Sequence, residues 1–206
     1  IGKAQIVDSA AVEPDDEAAE EQEFSIGTLF FPTMLFMALL FVAQGLSDDV
    51  WRERAQGTLR RAVTTPRGAG ELFLGKLLAA GVIAAAVVGL ALGCAAFGFA
   101  PAAALAALAW GALTGLALTA MMTAIQLSAS SQRGASLVTN ILLFPLLMLG
   151  GAFFPFETMP DWMAAVGRFT PNGFALVEFK WLLGGGLEAG RLALDLFLAL
   201  AFGAAL

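Results

Sequence analysis

Apolar residues run almost unbroken through five stretches of the 206-residue chain, and polar residues collect between them. The first stretch covers 27–46. The second, 77–99, carries no charge. The third is 102–127. The fourth, 137–154, is slightly short and holds Asn140 and Pro145. A fifth begins at Leu192 and is still apolar at Leu206. About 20 apolar residues cross the roughly 30 Å of hydrocarbon in a bilayer. The pattern therefore predicts an all-α fold, a polytopic transmembrane helix bundle with about five spans.

The connectors predict the orientation. Segment 47–76 holds Arg52, Arg54, Arg60, Arg61, Arg67 and Lys76, and the next connector on that side holds Arg133. The turn around Ala100 and Pro101 has no charge. Basic residues near span ends stay cytoplasmic, so 47–76 is expected inside and the segment before Phe24 outside. The last connector has a helical pattern of its own over 158–183. Thr158 is expected to cap a short helix with Pro160 in its first turn, and Trp162, Val166 and Phe169 share one face. Thr170 caps a second with Pro171 at its first position, where Phe174, Val177 and Trp181 line an apolar face and Gly184 to Gly186 end it. Two short aromatic helices suit the outer membrane interface, lying flat on it or dipping in and returning.

Composition strengthens the membrane reading. The chain is 59% hydrophobic and only 14% charged, whereas soluble domains are nearer a quarter charged. The net charge of −6 comes from the acidic segment 1–24, expected to be solvated; the remainder has ten Lys and Arg against nine acids. Cys94 is the single cysteine and there is no histidine. An internal disulfide is excluded, and the commonest general base and zinc ligand are missing. No HExxH, CxxC, GxxxxGK[ST] or GxSxG pattern occurs. No catalytic residue, cofactor site, metal site or nucleic-acid surface is expected in the chain.

Small residues recur every fourth position in two spans: Gly81, Ala85, Gly89 and Gly93, then Ala107, Gly111, Gly115, Thr119 and Thr123. That spacing lets helices approach closely; an Ala- and Gly-rich composition also produces it by chance. Gln44, Gln126 and Asn140 lie at membrane depth, where each is expected to bond a neighbouring helix or face a cavity. Asp48 and Asp49 diverge by about 100° on a helix and do not make a carboxylate pair. Asp195 follows Arg191 by four residues, which fits an interfacial ion pair better than a substrate or proton site.

The basic connector reads as structure too. The first spanning helix continues through Trp51 and Glu53 until Gly57 weakens it, and Thr58 caps a short helix, "LRRAV", that ends before Pro66. Gly68 and Gly70 permit a turn before Glu71 leads to Lys76. From composition alone the exposed arginines serve anionic lipid or a cytoplasmic partner.

The stretch "ERAQGTLRRAVTTPRGAGELFLGKLLA" resembles the signature of ABC type-2 permeases, the membrane subunits of ATP-binding-cassette exporters. The shared steps are Glu53–Arg54, Gly57–Thr58, Thr65–Pro66 and Gly75–Lys76. "GGAFFPFETMPDWMAAVGRFTPNGFAL" resembles that family's outer segment, with Phe154–Pro155, Met159–Pro160 and Thr170–Pro171. The resemblance covers about 24–206 and implies a permease transmembrane domain over 25–206. It implies six spans in the full subunit, so the first helix precedes this chain. It also implies a dimer of like or related permeases, and two cytoplasmic ATPase subunits that bind the ATP and Mg. Glu53, Arg54, Gly57, Thr58, Arg60, Arg61 and Pro66 would then couple to the ATPase, with Gly75 and Lys76 at membrane entry. Pro155, Pro160, Trp162, Phe169, Pro171 and Trp181 would shape an outer lid, and Gly89, Gly93, Gly111 and Gly115 would pack helices. The chain departs from the family in the arginine richness of the connector. The expected function is a plasma-membrane permease subunit exporting a hydrophobic or amphiphilic substrate; the rival is a stand-alone secondary transporter or membrane anchor.

Overall fold

Long apolar runs without a helix breaker form long helices, and here they do so beyond the limits of their apolar cores. The computed structural model describes residues 16–64, 68–94 and 100–185. The expected fifth span, Pro66, Arg67 and residues 1–15 lie outside the described residues.

Helix α1 spans Asp16–Ala55, so the second half of the acidic segment continues the first spanning helix as helical backbone. The short α2 is Thr58–Val63. Helix α3, Gly68–Cys94, begins nine residues before the apolar run at 77; Gly68 and Gly70 lie in its opening turn and make no loop. Helix α4 spans Pro101–Ser128 and starts on a proline at N1, where the missing N–H costs nothing. Helix α5, Gln132–Leu149, is shifted five residues toward the N-terminus of the apolar run that predicted it. Ser131 causes the shift: its Oγ accepts the Gly134 N–H at 3.2 Å and starts the helix early. Gly150 and Gly151 end it, the latter at φ +77°. Pro32 in α1 and Pro145 in α5 each remove one intrahelical bond.

Four helices are long and apolar enough to cross a membrane, over Leu29–Ala55, Gly70–Cys94, Pro101–Ser128 and Gln132–Leu149. At 1.5 Å per residue, even the 18-residue Gln132–Leu149 covers about 27 Å. The described residues contain helices and turns and no strand, so this is a helical membrane bundle. The chain runs down α1 to a basic end, turns through α2, and returns up α3. It descends α4 and ascends α5 to the far end.

Helix α4 sits at the centre and is shared by both parts of the core. One part joins Phe36 and Leu39 of α1, Val88 of α3, Trp110 of α4 and Leu176 and Phe179 of α7. The other joins Leu40 and Ala43 of α1, Leu118 and Met122 of α4, and Leu143 and Leu147 of α5. Helices α3 and α4 meet through glycine. A Cβ on Gly111 would stand 2.6 Å from Val88 Cγ2, and one on Gly115 would strike Ala84 Cβ. On α3 the tightest contacts therefore run through buried Ala80, Ala84 and Val88, beside Gly81 and Gly89 of the glycine stripe, where a Cβ would meet Leu116 and Leu108 of α4 at 3.5 Å. A Cβ on Gly89 would touch only Leu108, at 3.5 Å, and Gly93 has open space around it. Glycine on one helix suffices, because the methyls of the other fill the room it leaves. The remaining surface of α3 and α5 is apolar and exposed, as at Val82, Leu90 and Ile141. In water such a surface would be a liability; in lipid it is the ordinary outside of a bundle.

At the far end a 3-10 turn, Phe156–Thr158, leads to α6, Asp161–Arg168, and α7, Pro171–Leu183. Thr158 does not cap α6. It lies inside the 3-10 turn, its Oγ1 donating to Pro155 O at 2.8 Å, and Pro160 precedes α6 without a side-chain cap. Thr170 does cap α7, accepting the Gly173 N–H at 3.1 Å. The two short helices differ. Trp162, Val166 and Phe169 on α6 face outward, Phe169 being 91% exposed. Helix α7 instead enters the bundle, burying Leu176, Phe179 and Leu182 against α1 and α4.

Candidate functional site

Two regions gather the residues singled out by their sequence pattern. The first is the basic end, where α1, α2, α3 and α4 meet. The apolar phase of α1 carries Val50 inward, and the next residues fan out around it. Trp51 points to α4, where its Nε1 donates to Gln126 Oε1 at 2.8 Å. Gln126 is fully buried, and its amide also donates to Asp48 Oδ1 and, at 3.3 Å, to Thr139 Oγ1. One glutamine thus joins α1, α4 and α5. Gln44 Nε2 donates to Asn140 Oδ1 at 2.9 Å and makes a second polar link from α1 to α5. All three amides at membrane depth therefore bond a neighbouring helix.

Arg54, one turn after Trp51, lies over its indole ring at 4.5 Å. Its Nη2 donates to Leu127 O at 3.4 Å. That carbonyl belongs to the last turn of α4, where a cation complements the helix dipole. Glu53 faces the other way and pairs with Lys76 of α3, Nζ to Oε1 at 3.0 Å, both side chains only about one-fifth exposed. Glu53 and Lys76 are 23 positions apart in sequence, and this ion pair brings the two steps together. Asp49 stays near solvent and meets Arg52 at 3.5 Å. A Cβ on Gly75 would meet nothing among the described residues, so Gly75 answers no steric need there.

Between these anchors stands α2. Gly57 occupies the N-cap with φ +71°, a left-handed conformation that reverses the chain at little cost only for glycine. Thr58 is the first helical residue and makes no cap; Gly57 holds that position because the reversal needs its backbone. Thr58, Arg60 and Arg61 are exposed. Thr64 Oγ1 closes the helix by donating to Arg61 O at 2.8 Å. Pro66 lies outside the described residues.

A family model described as ABC-2 family transporter protein matches residues 3–206. The chain belongs to the ABC-2 transporter family. No curated protein and no solved structure matches it. It is therefore a multi-pass membrane protein and the permease subunit of an ABC transporter, a component generally not itself catalytic. Family membership implies an ABC ATPase as partner.

The second region of this ABC-2 permease is the far end. Pro155 is buried and Pro160 exposed, each opening a helical turn. Pro171 opens α7. Trp162 on α6 and Phe169 at its C-cap face outward, whereas Trp181 is half-buried against the core. Trp110 Nε1 donates to Ala175 O at 2.9 Å, and Phe36 meets Phe179 edge to face at 5.4 Å. Lys180 Nζ reaches back to Glu157 at 3.0 Å. Sequence reasoning missed the glycines that set this end. At Gly167 a Cβ would strike the Leu149 carbonyl, and at Gly173 the Gly167 carbonyl. Their signal was visible as "GG" after α5 and as a glycine on each side of "RFTPN".

Proposed function

We propose that this permease couples ATP hydrolysis on a separate ATPase subunit to export of a hydrophobic or amphiphilic substrate. The reading places it in the plasma membrane with the basic end in the cytoplasm and the acidic segment outside. ATP and Mg belong to the ATPase, which docks on α2. A second permease, identical or related, completes the path, and lipid covers the remaining apolar faces.

One observation carries this reading: α2 is a short, exposed, basic helix held between spans that are locked to one another. Glu53–Lys76 ties the end of α1 that leads into α2 to α3, and Arg54 and Trp51 tie it to α4. A push on α2 reaches three spanning helices as a rigid-body displacement. An element serving lipid alone would need the charge and not the bracing.

The test is co-purification of the ATPase, identified by its Walker motifs in peptide mass spectra. Wild-type permease should retain it. Arg60→Glu with Arg61→Glu should release most of it while the bundle melts at the same temperature, since both side chains are exposed. Retention of the ATPase by the double variant would overturn the docking assignment. Labelling of a Thr58→Cys, Cys94→Ser variant in intact cells checks orientation: reaction before permeabilisation would overturn it.

A further inference from the structure

Asn172, in the first turn of α7, is fully buried, yet most of its hydrogen-bonding capacity is unused. Its Nδ2 donates to Gly150 O at the end of α5, at a long 3.3 Å. Its Oδ1 has no hydrogen-bond partner among the described residues. Turning the amide over would set Oδ1 against the Gly150 carbonyl, so the orientation is fixed. A buried acceptor left without a donor costs more than an ordinary hydrogen bond returns. Such groups are rare in folded chains, and the coupling reading gives Asn172 no role.

The two sides of this contact are held unequally. Helix α7 is anchored just beyond Asn172, where Trp110 bonds Ala175 O and Phe36 meets Phe179. Thr170 braces the corner before it, donating to Gly167 O and accepting the Gly173 N–H. The end of α5 approaches closely because Gly150 has no side chain; a Cβ there would stand 2.8 Å from Nδ2. It also buries little. After Leu147, Met148 is 42% exposed and Leu149 half-buried, Gly150 and Gly151 have no side chains, and Ala152 hides one methyl. Segments that bury few apolar groups open at low free energy.

We propose that residues 148–152 form a latch at the far end, closed in this structure and biased toward opening by Asn172. In the closed state Oδ1 is dry and unpaired. When the turn parts from α7, water reaches Oδ1 and the cost is relieved. Asn172 thus acts as a spring under the turn, and the far end opens without unpacking the core below Leu147. The inference goes beyond the coupling reading and stands whether or not α2 docks an ATPase.

The test uses the permease in lipid nanodiscs, in a Cys94→Ser background with Ala152→Cys as reporter. Ala152 is 4% exposed, so a charged maleimide reaches this position only when the turn opens. Asn172→Leu keeps the number of side-chain heavy atoms and removes the unpaired acceptor. It should slow labelling about tenfold, with the melting temperature unchanged or raised. Asn172→Asp adds a charge that water satisfies best, and it should speed labelling about tenfold. If Asn172 were a plain tie acting through its bond to Gly150, both variants would label faster and Asn172→Leu would melt earlier; either result would overturn the proposal. So would a reporter that stays unlabelled in every variant. Ala135→Cys, buried at the other end of α5, should react at one rate in all three backgrounds. A rate there that followed the reporter would show general loosening of the bundle, and the latch would be rejected.

Discussion

Single residues decide where this bundle is tight. Gly115 faces Ala84 so closely that any β-carbon collides with it. Gly115→Val should lower stability by about 1–3 kcal/mol, the usual cost of overpacking. Gly93→Val, in open space, should not, and thermal unfolding of both variants in detergent checks the pair. The four-residue spacing of small side chains was visible in the sequence. Which side chains face the partner helix was not, because a helix rich in Ala and Gly has several small faces and only the neighbour selects one. The capping residues show the same limit. Thr170 reads correctly because proline follows it directly. Thr58 and Thr158 look equally apt, yet one follows a left-handed glycine and the other is drawn into a 3-10 turn.

At the scale of elements, the spans were the most legible feature, since apolar length alone predicts them. Their ends were less so. Polar residues that continue a helix beyond the hydrocarbon leave no break in pattern, as at the start of α3, and a serine cap started α5 before its apolar run. Of the two far-end helices, α6 keeps its apolar side chains exposed and α7 is a core helix. Their sequences look alike because each is short, aromatic and proline-led. What separates them is Trp110 and Phe36, which lie far away in sequence and receive α7. The element with the sharpest consequence is α2. Gly57→Ala places a β-carbon in a left-handed conformation, at about 1 kcal/mol. It should lower retention of the ATPase while leaving the melting temperature of the bundle nearly unchanged. A fall in both would mean that the turn supports the spans themselves.

At the scale of the whole molecule, the basic end is a closed circuit of α1, α3 and α4, with α2 outside it. The family resemblance marked Glu53 and Lys76 separately, and only the fold shows them as partners. With each side chain about one-fifth exposed, the pair falls between the ~1 kcal/mol of a surface bridge and the ~3 kcal/mol lost on breaking a buried one. Glu53→Lys or Lys76→Glu alone should lower both the melting temperature and ATP-driven transport, and the exchanged double variant should recover most of each. A double variant no better than the worse single would show that the two positions act independently. Much of the arginine wealth of the connector is also accounted for at this scale. Arg54 is spent on α4 and Arg52 on Asp49, which leaves Arg60 and Arg61 as the described arginines of α2.

The Glu53–Lys76 bridge has one more consequence. It fastens the strap at its two buckles, so the distance the strap must cover is fixed by an electrostatic bond and not by the strap itself. Exchanges at the exposed Thr58, Arg60 and Arg61 between the buckles should therefore leave the rods beneath undisturbed.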